Sequence, residues 1–137
     1  IREIHMAVAK RVFAKIVLMI VLFLEYPKCS TCKKAKKWLD DHGVGYTTRH
    51  IVEDNPSADE LRAWHERSGL PLKRFFNTSG MLYREMELSK KLPDMYEAAQ
   101  YALLASYGML VKRPLLVTDA TAIPGFKEDA WMRALGL

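Results

Sequence analysis

Two cysteines, separated by a serine and a threonine in Cys29-Ser30-Thr31-Cys32, are the only thiols in the 137-residue chain. A pair at this spacing can be a redox couple, part of a metal site, or two inert neighbours. A structural zinc site needs four ligands, no second cysteine pair exists, and His42 and His50 do not stand at finger spacing, so no metal is expected. A lone pair also excludes the disulfide scaffold of small secreted domains and points to reactive thiols in a reducing compartment, the cytoplasm.

The charge around the pair has the sign a thiolate needs. The net +5 is unevenly spread: residues 1–37 hold nine Lys/Arg against two Glu, net +7, and residues 38–137 hold twelve against fourteen acids, net −2. Lys28, Lys33, Lys34, Lys36 and Lys37 flank the cysteines with no acid among them. The basicity is therefore focused on the thiols rather than spread over a nucleic-acid-binding face, and no direct nucleic-acid contact is expected.

What positions the pair is the apolar run Ile16 to Leu24, followed closely by Pro27. Nine apolar residues cannot span a bilayer and no small-residue cleavage site follows, so the run reads as a buried parallel strand rather than a membrane or signal segment. Met19 is a candidate start, making residues 1–18 an N-terminal extension and residues 19–137 the domain, although Ile1, Ile4, Val8, Val12 and Ile16 recur at helical spacing. Ala35, Trp38 and Leu39 form the apolar stripe of a helix expected over about 30–41, stopped by Gly43. A Cys-x-x-Cys at such a strand-to-helix junction sets the first sulfur beside unpaired backbone N–H groups and the positive end of the helix dipole. Cys29 is then the nucleophile, and Cys32, one turn on, the resolving thiol.

Further along, 46–50 reads as a second strand, and Ser57 with Glu60 marks a capping box opening a helix that ends at Gly69. The stretch 70–92 is mixed, with short helices; a longer helix is expected over 94–106. Two short strands at 115–117 and 120–123 precede a last helix at 128–135. This order predicts an α/β thioredoxin-like fold, βαβ–ββα, with a mixed four-stranded sheet and a helical insertion between the halves.

Tyr26-Pro27-Lys28-Cys29-Ser30-Thr31-Cys32-Lys33-Lys34-Ala35 and Lys112-Arg113-Pro114-Leu115 resemble the arsenate reductase (ArsC) family, above all its Spx-like branch with two cysteines, over about residues 19–135. The resemblance implies that Cys29 attacks, that Arg113 assists at the active site, that Pro114 is the cis-proline facing the cysteines, and that Lys28, Ser30, Thr31 and Lys73 also face the substrate. Lys73 stands where the family has a second arginine, with Arg74 beside it, and near Gly125-Phe126-Lys127-Glu128 a third family arginine is missing. Lysine cannot make the bidentate oxyanion contact of arginine, and arsenate-reducing members lack a counterpart of Cys32. Both departures argue against arsenate as the physiological substrate.

Two functions of different class follow. The leading one is a cytoplasmic oxidoreductase, monomeric, with no bound cofactor, which reduces a protein disulfide, a glutathione adduct or a small oxyanion and is recharged by glutathione or a thioredoxin/glutaredoxin system. The other, implied by the Spx resemblance, is a redox-sensing regulator that binds RNA polymerase.

Overall fold

The protein is described by a computed structural model covering residues 20–137. The expected extension 1–18, its amphipathic pattern and the start at Met19 lie outside these residues. Strand β1 (Leu22–Glu25) leads into helix α1 (Ser30–Asp41), then β2 (Thr47–His50) and α2 (Ala58–Ser68). A 3-10 turn (Leu72–Phe75), α3 (Met81–Glu85), α4 (Leu88–Lys91), a second 3-10 turn (Leu92–Asp94), α5 (Glu97–Ser106) and a third (Gly108–Leu110) make the insertion. Strands β3 (Leu115–Val117) and β4 (Ala122–Pro124) and helix α6 (Glu128–Leu135) complete the chain.

The sheet order is β2-β1-β3-β4. β1 runs parallel to β2 and antiparallel to β3, with Leu24 opposite Arg49 and Leu115; β3 and β4 form a hairpin with Leu116 opposite Ile123. This is the mixed four-stranded, βαβ–ββα thioredoxin-like arrangement with a helical insertion.

Successive strand residues feed opposite faces, so the short strands serve two cores. Phe23 and Leu116 join Ala35, Trp38 and Leu39 of α1 and Trp131 and Leu135 of α6. Leu24, Leu115 and Val117 join Leu61, Trp64, Phe75 and Leu104 on the other face, beneath the insertion. Trp131, fully buried, meets Phe23, Trp38 and Phe126 edge-on and donates its indole N–H to the Gly125 carbonyl at 3.0 Å, fastening α6 beside β4.

Three boundaries differ from the sequence reading. Among the described residues the first strand is Leu22–Glu25, shorter than the apolar run. The fourth strand begins at Ala122, because Thr118 Oγ1 accepts from the N–H groups of Ala120 and Thr121 and closes a turn there. The long insertion helix starts at Glu97: Leu92–Asp94 is a 3-10 turn and Met95 is extended, at ψ 135°. Among the described residues no helix is long and apolar enough to cross a membrane.

Helix α2 is tied to the sheet by charge. Ser57 and Glu60 form the reciprocal capping box of α2, and Arg49 of β2 grips Glu60 with both guanidinium nitrogens, at 2.6 and 2.9 Å. The Arg49 fork holds the Glu60 carboxyl down at about 2. A depressed carboxyl stabilises the fold above its unfolded value and ceases to do so as pH falls through the folded one. Urea unfolding should therefore show Glu60 support vanishing between pH 4.5 and about 2. Glu60→Gln is expected to cost about 1 kcal/mol near neutrality, since the pair is partly exposed, and to flatten that acid limb; an unchanged limb would assign acid sensitivity to other groups.

Candidate active site

Between β1 and α1 the chain makes a tight turn in which Cys29 N–H donates to the Tyr26 carbonyl at 2.9 Å. Cys29 is extended (φ −82°, ψ 122°) and is the N-cap of α1, its Sγ accepting from Cys32 N–H at 3.4 Å. Capping positions normally carry a side-chain oxygen, which satisfies one orphan N–H of the first turn. Here sulfur takes that place. The first turn holds no acid, so no carboxylate competes with a thiolate for the positive end of the helix.

The two thiols are split by their surroundings. Both are free; Cys29 is half-buried and Cys32 fully buried. Burial alone would push the Cys29 thiol up, but the backbone N–H and side chain of Cys32, the backbone N–H of Thr31 and the Arg113 charge together bring it below its ordinary value. Burial pushes the Cys32 thiol up to about 12, reinforced by the neighbouring Cys29.

Arg113 reaches this end of the sheet because β3 runs antiparallel to β1, with Leu115 opposite Leu24. The Arg113-Pro114 bond is cis. The guanidinium lies 5.2 Å above the Tyr26 ring, whose other neighbour is His50, and Nη1 donates to the Met109 carbonyl at 3.4 Å. Its Nε is buried without a partner. A cavity of about 380 Å³ beside it is lined by Thr31, Arg74, Lys112, Arg113, Lys127 and the Pro124-Gly125-Phe126 segment.

Thr31 and Arg113 are thus brought together with the cysteines, Pro114 is buried beside Arg113, and Ser30 and Lys28 are exposed at the turn. Lys73 does not line this cavity; it faces two neighbouring ones, and Arg74 takes the place expected of it. The physical reason is the 3-10 turn at Leu72–Phe75, where adjacent residues point about 120° apart. The flanking lysines are corrected as well. They are absent from the causes that act on Cys29; Lys36 pairs with Glu25 at 3.6 Å and Lys37 with Asp41 at 2.7 Å. Sequence reasoning missed Arg74, Lys112 and Lys127. Their adjacency to Lys73, Arg113 and the α6 start was the available signal.

A larger hollow of about 530 Å³, lined by Val21, Val44, Tyr46 and Leu135 among others, lies at the opposite end of the sheet. It holds no thiol and no guanidinium, so the chemistry is assigned to the cysteine end. His65 is structural: its ring nitrogens meet Tyr101 Oη at 2.6 Å and the Leu70 carbonyl at 2.8 Å. Among the described residues no cluster of three or more His, Cys, Asp or Glu side chains could hold a metal ion.

The uncharacterized protein YusI of Bacillus subtilis is 56% identical over 111 residues, covering 81% of this chain and 94% of its own. The global transcriptional regulator Spx of Staphylococcus epidermidis is 28% identical over 120 residues, covering 85% and 87%. Among solved structures, an ArsC family related protein from Bacteroides fragilis superposes with a TM-score of 0.82 at 57% identity, over 85% of this chain and 98% of that one. A single match to the ArsC family model runs over residues 24–134, taking in the cysteine turn, the whole insertion and the Arg113-Pro114 junction, and by that span the chain belongs to the ArsC family.

Proposed function

We propose that the protein is a thiol–disulfide oxidoreductase in which Cys29 attacks and Cys32 resolves. The observation that carries this reading is the split between the thiols: the accessible sulfur is acidified by its capping position and the buried one is held protonated. The Cys29 thiolate displaces one sulfur of a substrate disulfide, forming a mixed disulfide and releasing a thiolate. Cys32 then gives its proton to the second leaving sulfur and closes a Cys29–Cys32 bond, so the substrate gains two electrons and the protein loses them. Cys32 is the third residue of the helix that Cys29 caps, in its first turn and within reach of an adduct on Cys29.

No bound cofactor enters this cycle. Glutathione or a thioredoxin/glutaredoxin system supplies the electrons, and the reducing cytoplasm is the compartment the free pair suits. The chain acts as a monomer. Arg113, Thr31 and Arg74 receive the anionic part of a substrate or adduct, with Pro114 beneath and Ser30 and Lys28 at the rim; Lys73 stands one cavity away. With Arg74 replacing only one of the missing arginines, arsenate is not the substrate favoured here. A second reading rests on the similarity to Spx: the same pair senses oxidation and the protein binds RNA polymerase. Turnover with a disulfide substrate, set beside a polymerase pull-down in oxidised and reduced forms, separates the two.

Near neutral pH, iodoacetamide should label Cys29 at least tenfold faster than Cys32, because only the thiolate reacts and acidification acts on the first sulfur alone. Mass mapping of the labelled peptide reads this directly. Preferential labelling of Cys32 would reverse the assigned roles.

A further inference from the structure

The basic lining does not stop beside Cys29. A second cavity of about 370 Å³, lined by Pro71, Lys73, Arg74, Phe76, Thr78 and Lys112, shares Arg74 and Lys112 with the first. The two adjoin at those side chains, beside the 3-10 turn at Leu72–Phe75 that carries Lys73 and Arg74. Together they present five cations, Lys73, Arg74, Lys112, Arg113 and Lys127, and no carboxylate. Among the described residues none of the five takes part in an ion pair. Of the five, Lys127 also borders a hollow lined by Glu128, Asp129 and Arg133, and Lys73 one that includes Glu97, but neither forms an ion pair there.

This concentration stands out against its background. All five cations come from residues 38–137, a stretch whose net charge is −2. Unneutralised like charges repel one another and destabilise the compact state unless a partner of opposite sign answers them. A small oxyanion would fill only the first cavity and leave Lys73 unanswered.

We propose that the substrate of Cys29 is a peptide or protein disulfide whose cysteine is flanked by acidic residues, the acidic chain lying in the trough from Thr31 past Arg74 and Lys112 to Thr78. This rests on the reading of Cys29 as the attacking thiol. The Cys29 thiolate bonds to the peptide sulfur, the other substrate sulfur leaves as thiolate, and Cys32 releases the peptide as its thiol. An acidic peptide fits better than a nucleic acid because the group that must reach Cys29 is a sulfur, which a peptide cysteine supplies; of the two aromatic side chains bordering the trough, Phe76 is fully buried and only Phe126 is partly exposed, too few for a row of stacked bases.

The test uses two synthetic peptides, each with one cysteine joined to thionitrobenzoate, one flanked by Asp and Glu and the other by Asn and Gln. Thionitrobenzoate release reports reduction of the peptide's mixed disulfide, and in a Cys32→Ser variant, which has no resolving thiol, it reports attack on the peptide sulfur. At low salt the acidic peptide should react about tenfold faster, the lower end of electrostatic steering, and about 1 M salt, which shortens the screening length to about 3 Å, should bring the ratio towards one. Lys73→Ser with Lys112→Ser should collapse the ratio in the same way. Lys73→Glu, at an exposed position, gives an independent variant and should bring the ratio to one or below. Equal rates for the two peptides in the unmodified protein overturn the proposal and leave the role of Cys29 standing. An acidic preference that survives these substitutions also overturns it. Protection of Cys29 by an oligonucleotide but not by a reduced acidic peptide of equal charge reassigns the trough to nucleic acid. No release from either peptide overturns the thiol reading itself.

Discussion

Arg113→Ala is expected to slow the reaction of an anionic substrate or adduct at Cys29 by about 10²–10³-fold, the usual cost of removing one preorganised donor from a developing charge. The same change removes a positive charge that lowers the Cys29 thiol. The pH profile for alkylation by a neutral reagent should therefore move to higher pH, with the thiolate appearing later in the titration. The Cys29–Cys32 disulfide should still form under mild oxidation, because the cap from Cys32 N–H is independent of Arg113. Arg113→Lys should restore most of the pH profile, a charge effect, without restoring the oxyanion rate, which needs the planar fork. Loss of both steps with a collapsed circular dichroism spectrum would make Arg113 structural.

Gly108→Ala should be the most destabilising of the Gly→Ala changes among the described residues, at or above the ~3 kcal/mol upper range for overpacking. A Cβ on Gly108 would stand 2.2 Å from the Ile51 carbonyl oxygen, 2.5 Å from Asn55 Oδ1 and 2.9 Å from Val52 Cα. Two of these obstacles are backbone and cannot turn aside. Asn55 is itself pinned, its amide donating to the Leu104 and Ala105 carbonyls at the end of α5. Relief would have to come from the segment that continues into Lys112 and Arg113, so the variant should lose thiol acidity along with stability. Urea unfolding and the rate of Cys29 alkylation measure the two effects. A loss below about 1 kcal/mol would mean that the segment after β2, Ile51 to Asn55, and the end of α5 part easily.

The elements legible in the sequence were those whose signals are local. Ser57 and Glu60 stand at capping-box spacing and form the box; Ala35, Trp38 and Leu39 lie on one face of α1 and are buried together; 128–135 reads as a helix and is one. The element order gave the sheet, because a parallel unit followed by a hairpin leaves few ways to pair four strands. The insertion resisted reading for a physical reason. Tyr96, at the N-cap of α5, makes no side-chain capping bond, so nothing in the sequence marks where Leu92–Asp94 stops winding and α5 begins. The sequence singled out Cys29, Cys32 and Arg113, which the structure brings to one end of the sheet, but not Arg74, because the direction of one residue in a 3-10 turn depends on where the turn packs. The close approach of the Ile51 and Val52 backbone that demands Gly108 belongs to tertiary structure and leaves no local signal.

The sulfur that caps α1 also sets how tightly the protein holds electrons. When Cys29 joins a disulfide its negative charge disappears, and the N–H groups of Cys32 and Thr31 and the Arg113 guanidinium lose the anion they stabilise. That stabilisation belongs to the reduced state alone. The cap and Arg113 therefore raise the reduction potential and make the disulfide the more eager electron acceptor, while burial of Cys29 and the reluctance of Cys32 to ionise pull the other way. A substitution in the Tyr26–Cys29 turn can then retune the direction of electron flow without altering either sulfur.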